Sequence, residues 1–450
     1  MLRFKIKRKR KLSVWRYFAL GYFLMILLGS VLLVLPFATV EGESTSYLNA
    51  LFTSTSATCV TGLAVYDTGT HWSTFGQISI LLLVQIGGLG FTTFVTTLFM
   101  MVRRGAIDRL FKRAAMQDYG GKMGGVGKLV VRIVLGTFVL ELIGAALLSI
   151  RFIQDFGVGN GIYYSIFHAV SAFCNAGFDL FGNEHFFSLT QYASDPIVSL
   201  TIPLLVIVGG LGFCVWGDLF DCKFRWRKLQ FYTKFILIVN SIVLFGSMFL
   251  FLGFEWNASF QGFGFWKKLL CAFFDASTTR TAGFCTTDLT GLSKSGYLLT
   301  VILMFIGGCS GSTAGGIKIS TFAIIVLGMF AVLRGKRDIN VGKRRIDTAL
   351  LMQALAIFVS YLSIILIGSM LVCAFEPDLP FQELLFEVVS SLGTVGLSLG
   401  CTPALGIASR IVVIILMYMG RVGVLTLAFA LRKKRKDAAI RRPVESLFIG

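Results

Sequence analysis

Val60-Thr61-Gly62-Leu63, Asn175-Ala176-Gly177-Phe178, Thr281-Ala282-Gly283-Phe284 and Thr394-Val395-Gly396-Leu397 are four forms of one short pattern, and their spacing decides the fold. Successive glycines lie 115, 106 and 113 residues apart. A short apolar segment precedes each turn: Ser46–Thr58, Gly161–Phe173, Phe265–Thr279 and Pro380–Leu392. Long apolar stretches flank each short segment and its turn. The chain therefore divides into units at 17–102, 133–217, 235–333 and 348–431, and such a period is read before any single element.

The long stretches are of membrane length. A helix needs about 20 apolar residues to cross a bilayer, and Tyr17–Val40, Trp72–Val102, Phe235–Phe254 and Thr348–Phe375 carry no charge. Charged residues make up 14% of the chain, against about 25% in ordinary globular domains. The short segments cannot cross, so they must enter and return from one side. Non-helical backbone at that depth is tolerated only inside protein or beside a water-filled cavity. Four such segments predict one shared central cavity. The expected fold is an all-α integral membrane protein: four pseudo-repeats of helix, re-entrant short helix and loop, and helix around a central pore. That gives eight transmembrane helices, with the units related by an axis along the membrane normal.

The net charge of +19 is distributed by topology. Thirty-four of the 42 Lys and Arg fall in the arm 1–16, the loop 103–132, Lys223–Lys234, Arg334–Arg345 and the tail 432–450. These runs alternate with the apolar stretches as cytoplasmic loops do, so both termini are expected in the cytoplasm. A nucleic-acid surface is not expected from them. The apolar stretch behind Arg3–Lys11 is too long for a signal-peptide core and predicts a retained first helix. Nine cysteines without a C-x-x-C pair suggest neither a disulfide framework nor a zinc site. His71, His168 and His185 lack metal spacing, and no catalytic residue or cofactor of the chain's own is expected.

The turns have the chemistry of a cation filter. Glycine takes positive φ without steric cost, so Val60-Thr61-Gly62, Asn175-Ala176-Gly177, Thr281-Ala282-Gly283 and Thr394-Val395-Gly396 can aim successive carbonyls one way. Rings of such carbonyls replace the hydration shell of a cation such as K+. The short helices would add the negative ends of their dipoles. One glycine alone would be read as a helix-packing contact; four at one position of a repeat predict a selectivity filter. An organic-solute carrier is the rival class, and carbonyl rings argue against it.

A second feature lies in the third unit, where Gly307, Gly308, Cys309, Ser310, Gly311, Ser312, Thr313, Ala314, Gly315 and Gly316 interrupt an apolar span. Each interior glycine costs a helix about 1 kcal/mol relative to alanine, so an unwound, pore-facing segment is expected. Arg421 lies mid-span between Gly420 and Val422, where a guanidinium costs at least ~2.5 kcal/mol unless paired or hydrated. A pore role is expected for Arg421, with an ion pair to Glu141 as the alternative and a structural role for Glu141. Lys318 is expected near the midplane or inner end, facing the pore or snorkelling.

Thr58-Cys-Val-Thr-Gly-Leu63, Phe173-Cys-Asn-Ala-Gly-Phe178, Arg280-Thr-Ala-Gly-Phe284 and Gly393-Thr-Val-Gly-Leu397 resemble the filter segments of the Trk/Ktr/HKT potassium transporters. The resemblance covers essentially the whole chain. Glycine stands at all four filter positions, as in potassium-selective members; the sodium-conducting plant branch has serine in the first. Length and helix count are most similar to the Ktr membrane subunit. The resemblance implies potassium uptake across the cell membrane, a gating loop at Gly307–Gly316 and a pore-lining arginine at Arg421. It also implies a homodimer, packed in part by the tail ending at Gly450, and a separate cytosolic ring of nucleotide-binding regulatory subunits.

Overall fold

The computed structural model describes residues 14–90, 93, 126–182, 188–336, 338–342 and 344–431, and the structure is almost wholly helical. The expected arm, most of the loop 103–132 and the tail 432–450 lie outside the described residues, as do His185 and residues 91–102 of the first unit apart from Thr93. Among the described residues the one sheet is a two-stranded ribbon pairing Ile339–Val341 with Arg344–Ile346.

Each unit opens on a long helix: Val14–Val34, the first part of Val126–Phe173, Phe231–Phe254 and Thr348–Phe375. These are the described helices long and apolar enough to cross a membrane. Their outward faces carry Leu28, Leu142, Phe249 and Met370, all exposed, while Ser54, Ser56, Thr58, Ser171 and Thr313 are buried. Apolar outside and hydroxyl-lined within is the arrangement of a chain solvated by lipid.

Short helices follow at Tyr47–Cys59, Phe265–Thr278 and Phe381–Gly393. In the second unit the long and short helices are two helices that meet at a sharp break at Gly157, whose φ of 76° and ψ of 171° are non-helical.

The returning helices differ most from expectation. The sequence predicts an interruption in the third unit, and one is present between Lys294–Phe305 and Ile319–Leu333. The others are interrupted too. Thr74–Leu89 ends at Gly90, Pro196–Gly210 meets Phe213–Asp221 at 91°, and Ile407–Val422 gives way to Val424–Leu431 at Gly423. Gly90, Gly212 and Gly423 have φ of 84°, 92° and 87°, which side-chain-bearing residues rarely adopt. Polar caps start these helices on one side: Ser73 accepts from the Gly76 amide, Asp195 from Ile197 and Val198, and Ser293 from Gly296.

Polar contacts join consecutive units. Tyr163 Oη donates to Gln77 Oε1 (2.9 Å), the Leu189 amide to the Cys285 carbonyl (2.9 Å), and Tyr297 Oη to the Gln382 carbonyl (2.7 Å). Arg410 to Asn49 Oδ1 (2.7 Å) and Tyr418 to the Ala19 carbonyl (2.8 Å) return the fourth unit to the first. The units thus form a closed ring, and the glycine turns lie inside it.

Candidate functional site

The four turns converge. A Cβ built on Gly62 would lie 2.5 Å from the Ala176 carbonyl oxygen, and one on Gly177 2.6 Å from that of Ala282. One on Gly283 would lie 2.7 Å from that of Val395, and one on Gly396 would meet that of Thr61. Each glycine faces the carbonyl just ahead of the next unit's glycine, and the contacts close on themselves after the fourth. No side chain fits there, and the glycines also hold φ of 96°, 72°, 84° and 91°.

Two residues before each glycine the chain is left-handed as well, at Val60 (φ 57°), Asn175 (58°), Thr281 (73°) and Thr394 (50°). For β-branched Val and Thr this is an outlier that persists only when the surroundings over-determine it. They do. The Thr61, Ala176 and Val395 amides donate back to the Ser56, Ser171 and Ser390 carbonyls (2.8, 2.8 and 2.9 Å), and the Ala282 amide donates to the Thr278 carbonyl (2.9 Å). Ser56 and Ser390 hydroxyls accept from the Gly62 and Gly396 amides, each at 3.1 Å. Ser171 and Thr278 instead donate to the Phe178 and Phe284 carbonyls (2.7 and 2.5 Å). Buried polar side chains brace three outgoing segments from behind. His168 Nε2 accepts from the Leu180 amide (3.4 Å), Asp275 from Thr287 (3.4 Å), and Glu387 from Ser398 (2.8 Å) and Thr402 (2.6 Å).

The segment Gly307–Gly316 is non-helical and lies against this ring. The Cys309 and Thr313 amides donate to the Gly210 and Gly209 carbonyls (3.0 and 3.3 Å), and the Phe213 amide donates to the Gly311 carbonyl (2.8 Å). The broken ends of the second unit's returning helix thus satisfy the loop's backbone, as non-helical chain at membrane depth requires. Cβ atoms on Gly315 and Gly316 would meet the Thr394 side chain and the Gly393 carbonyl. With the Thr313 hydroxyl also against the Phe173 carbonyl and the Asn175 side chain, the loop touches the second and fourth turns, which are opposite corners of the ring, and so crosses beneath it.

Arg421 secures this crossing. Its guanidinium donates to the Thr313 carbonyl of the loop and to the Gly87 and Gly88 carbonyls of the first unit, the last at 3.2 Å. The alternative partner is elsewhere: Glu141 accepts from Gln85 (3.2 Å) and lies beside Cys174. Lys318 Nζ donates to the Ala314 and Gly315 carbonyls (2.7 and 3.3 Å), so it braces the loop itself and does not snorkel. Below lies a cavity of about 290 Å³ bordered by Gly88, Gly90, Ser310, Ser312, Gly316, Lys318, Arg421 and Thr426.

Sequence reading missed Gly87, Gly209 and Gly420. A Cβ on any of them would strike the carbonyl of Thr58, Phe173 or Leu392, at the end of a short helix. The pairs Gly87-Gly88 and Gly209-Gly210 inside apolar spans were the available signal, since small residues mark close helix approach in membranes. Among the described residues, no group of three or more His, Cys, Asp or Glu could hold a metal.

Lipid-facing helices closed around a hydroxyl- and carbonyl-lined centre define an integral membrane transport protein. The family model for TrkH, described as cation transport protein, matches residues 23–442, and the chain belongs to that family. It is 40% identical to the potassium/sodium uptake protein NtpJ of Enterococcus hirae, over 99% of each chain. It is 39% identical to the Ktr system potassium uptake protein B of Bacillus subtilis (96% of each chain), and 37% identical to that of Vibrio alginolyticus (97% of this chain, 94% of the other). Its fold matches the crystal structure of the potassium transporter TrkH from Vibrio parahaemolyticus with a TM-score of 0.73, at 18% identity, over 94% of this chain and 86% of that one.

Proposed function

We propose that the chain carries potassium into the cell as the membrane subunit of a Ktr-type uptake system, selecting the ion on the backbone carbonyls of the four converging turns. The observation that carries this reading is the closed order of contacts from Gly62 to Gly177, Gly283, Gly396 and back. Paired left-handed residues in each turn reverse the usual alternation of an extended strand, which lets neighbouring carbonyls face the axis together. The sites are Val60, Thr61 and Gly62, Asn175, Ala176 and Gly177, Thr281, Ala282 and Gly283, and Thr394, Val395 and Gly396. Short-helix C-termini at Cys59, Phe173, Thr278 and Gly393 add partial negative charge where the cation would sit.

The gate is the loop Gly307–Gly316 with Arg421. Seated across the axis, the loop obstructs passage, and the guanidinium beside it opposes a cation electrostatically. Each of the units 17–102, 133–217, 235–333 and 348–431 crosses twice, giving eight spans with cytoplasmic termini. Two copies form a homodimer, and a cytosolic ring carrying the regulatory nucleotide docks on the basic loops. The names of two relatives, Ktr system potassium uptake protein B, support membership of such a system.

Sodium as a second cargo is favoured by the potassium/sodium name of the Enterococcus hirae relative. Both readings are tested in a bacterium stripped of its own potassium uptake and expressing this chain with a Ktr regulatory subunit. Growth restored at low potassium, with no gain in sodium content, supports the potassium assignment. Failure to restore growth, with the protein present in the membrane, contradicts it; sodium accumulation favours the second cargo.

A further inference from the structure

The gate and the filter share a residue. Thr313, completely buried, lies in the loop, and its carbonyl accepts from Arg421. Its hydroxyl reaches upward to the second turn, donating to the Phe173 carbonyl (3.2 Å) and lying 3.0 Å from the Asn175 side-chain amide. The surroundings assign the orientation of that amide. Its inner end faces the Phe173 carbonyl (3.2 Å), the Val206 carbonyl (3.3 Å) and Thr313 Oγ1, a set of acceptors that only the nitrogen can satisfy. Thr313 therefore receives a hydrogen bond from Asn175 and passes one to Phe173.

Asn175 is itself one of the left-handed residues of the turns (φ 58°), and the only one of those four whose side chain is hydrogen-bonded to the loop among the described contacts. Its counterparts Thr281 and Thr394 have buried hydroxyls without partners, and Val60 has none to offer. The second turn is thus held from below by the loop, whereas among the described contacts no hydrogen bond from the loop reaches the first or third. At the opposite corner the loop meets the Thr394 side chain by packing alone.

We propose that Asn175 is a positioning residue that couples the ion-selecting turns to the gate: its bond to Thr313 keeps the loop seated and fixes the second turn. When the loop leaves, that turn loses its anchor. Openness and potassium preference are then linked through one hydrogen bond. This inference rests on the filter-and-gate reading given above.

The test is rubidium uptake into proteoliposomes, with potassium or sodium as competitor. Wild-type uptake must first be competed by potassium; if it is not, the functional reading fails and not the coupling. Thr313→Val keeps the side chain's shape and removes the hydroxyl. A buried hydrogen bond is worth about 1 kcal/mol, or about fivefold in an equilibrium. Uptake without a regulator should therefore rise about fivefold, and sodium should compete at about fivefold lower concentration. Thr313→Ser should restore both. Arg421→Gln frees the loop's other tether, so it should raise uptake and, because a departing loop also releases Asn175, weaken potassium preference with it. Asn175→Gly keeps the left-handed backbone accessible. It should reproduce Thr313→Val and add nothing when the two are combined, and it carries the test should Thr313→Val fail to fold. Coupling is overturned if any of these variants raises uptake with ion preference intact, or if Thr313→Ser is as impaired as Thr313→Val.

Discussion

Val60, Thr281 and Thr394 are β-branched residues in a left-handed conformation, and each immediately precedes the residue whose carbonyl meets a neighbouring unit's glycine. Such conformations cost of order 1–3 kcal/mol each, so the short helices and the segments behind them must supply rigidity. Glu387 is the clearest brace: fully buried, it accepts from Ser398 and Thr402 on the outgoing segment. Glu387→Ala would remove the acceptor of the buried Thr402 and leave it only its 3.1 Å bond to Ser398, at up to about 1–3 kcal/mol for a buried polar group that loses its partner. The expected result is a lower unfolding temperature in detergent together with weakened potassium preference. Glu387→Gln, which still accepts, should fall between the two; an alanine variant as stable and selective as wild type would remove the bracing role. Arg421 acts on the loop and not on the turns, so Arg421→Gln should increase uptake in the absence of a regulatory subunit. Reduced uptake by folded protein would show that the guanidinium holds the pathway open.

The returning helices are where sequence and structure differ most. Their apolar stretches read as continuous spans in three units, because glycine in a membrane helix is common and single glycines give no warning of a break. What the breaks accomplish is visible only in three dimensions. Gly212 lets the second unit's helix turn through 91° and offer the Phe213 amide to the loop, while Gly209 and Gly210 offer carbonyls. The interruption at Gly307–Gly316 was legible because five glycines and several hydroxyl residues crowd one span. The four converging glycine turns were legible because they repeat. Asn175 stood among them, but its side-chain bond to Thr313 joins residues 138 apart in sequence, and no local pattern encodes it. Gly209 separates packing from mere composition. A Cβ there would strike the Phe173 carbonyl, whereas one on Gly246 would meet nothing within 4 Å. Gly209→Val should therefore cost about 1–3 kcal/mol by overpacking and reduce the monodisperse yield. Gly246→Val, on an exposed face, should behave as wild type. Equal behaviour of the two would mean that the close approach beneath the short helix has no energetic weight.

For the whole molecule, one property follows from the closure of the ring. Each unit holds its neighbour by a polar contact, and the loop of the third unit touches the second and fourth turns while its Thr313 carbonyl meets the arginine that also reaches the first unit. The proposed gate would respond to all four units together, which suits control by the proposed symmetric partner below the membrane. The proposed homodimer belongs to this scale too, although the tail expected to pack it lies outside the described residues. Deleting Leu447–Gly450 should halve the particle mass seen by native mass spectrometry in detergent, and an unchanged dimer mass would contradict the tail's role. The central claim is that four backbone turns select the ion, and rubidium uptake by wild type and Gly62→Ser in proteoliposomes tests it most directly. The serine Cβ would strike the Ala176 carbonyl at a φ of 96°. The account predicts that wild-type uptake is blocked by potassium and spared by sodium, and that the serine variant loses that distinction. A folded Gly62→Ser protein that discriminates as well as wild type would contradict it.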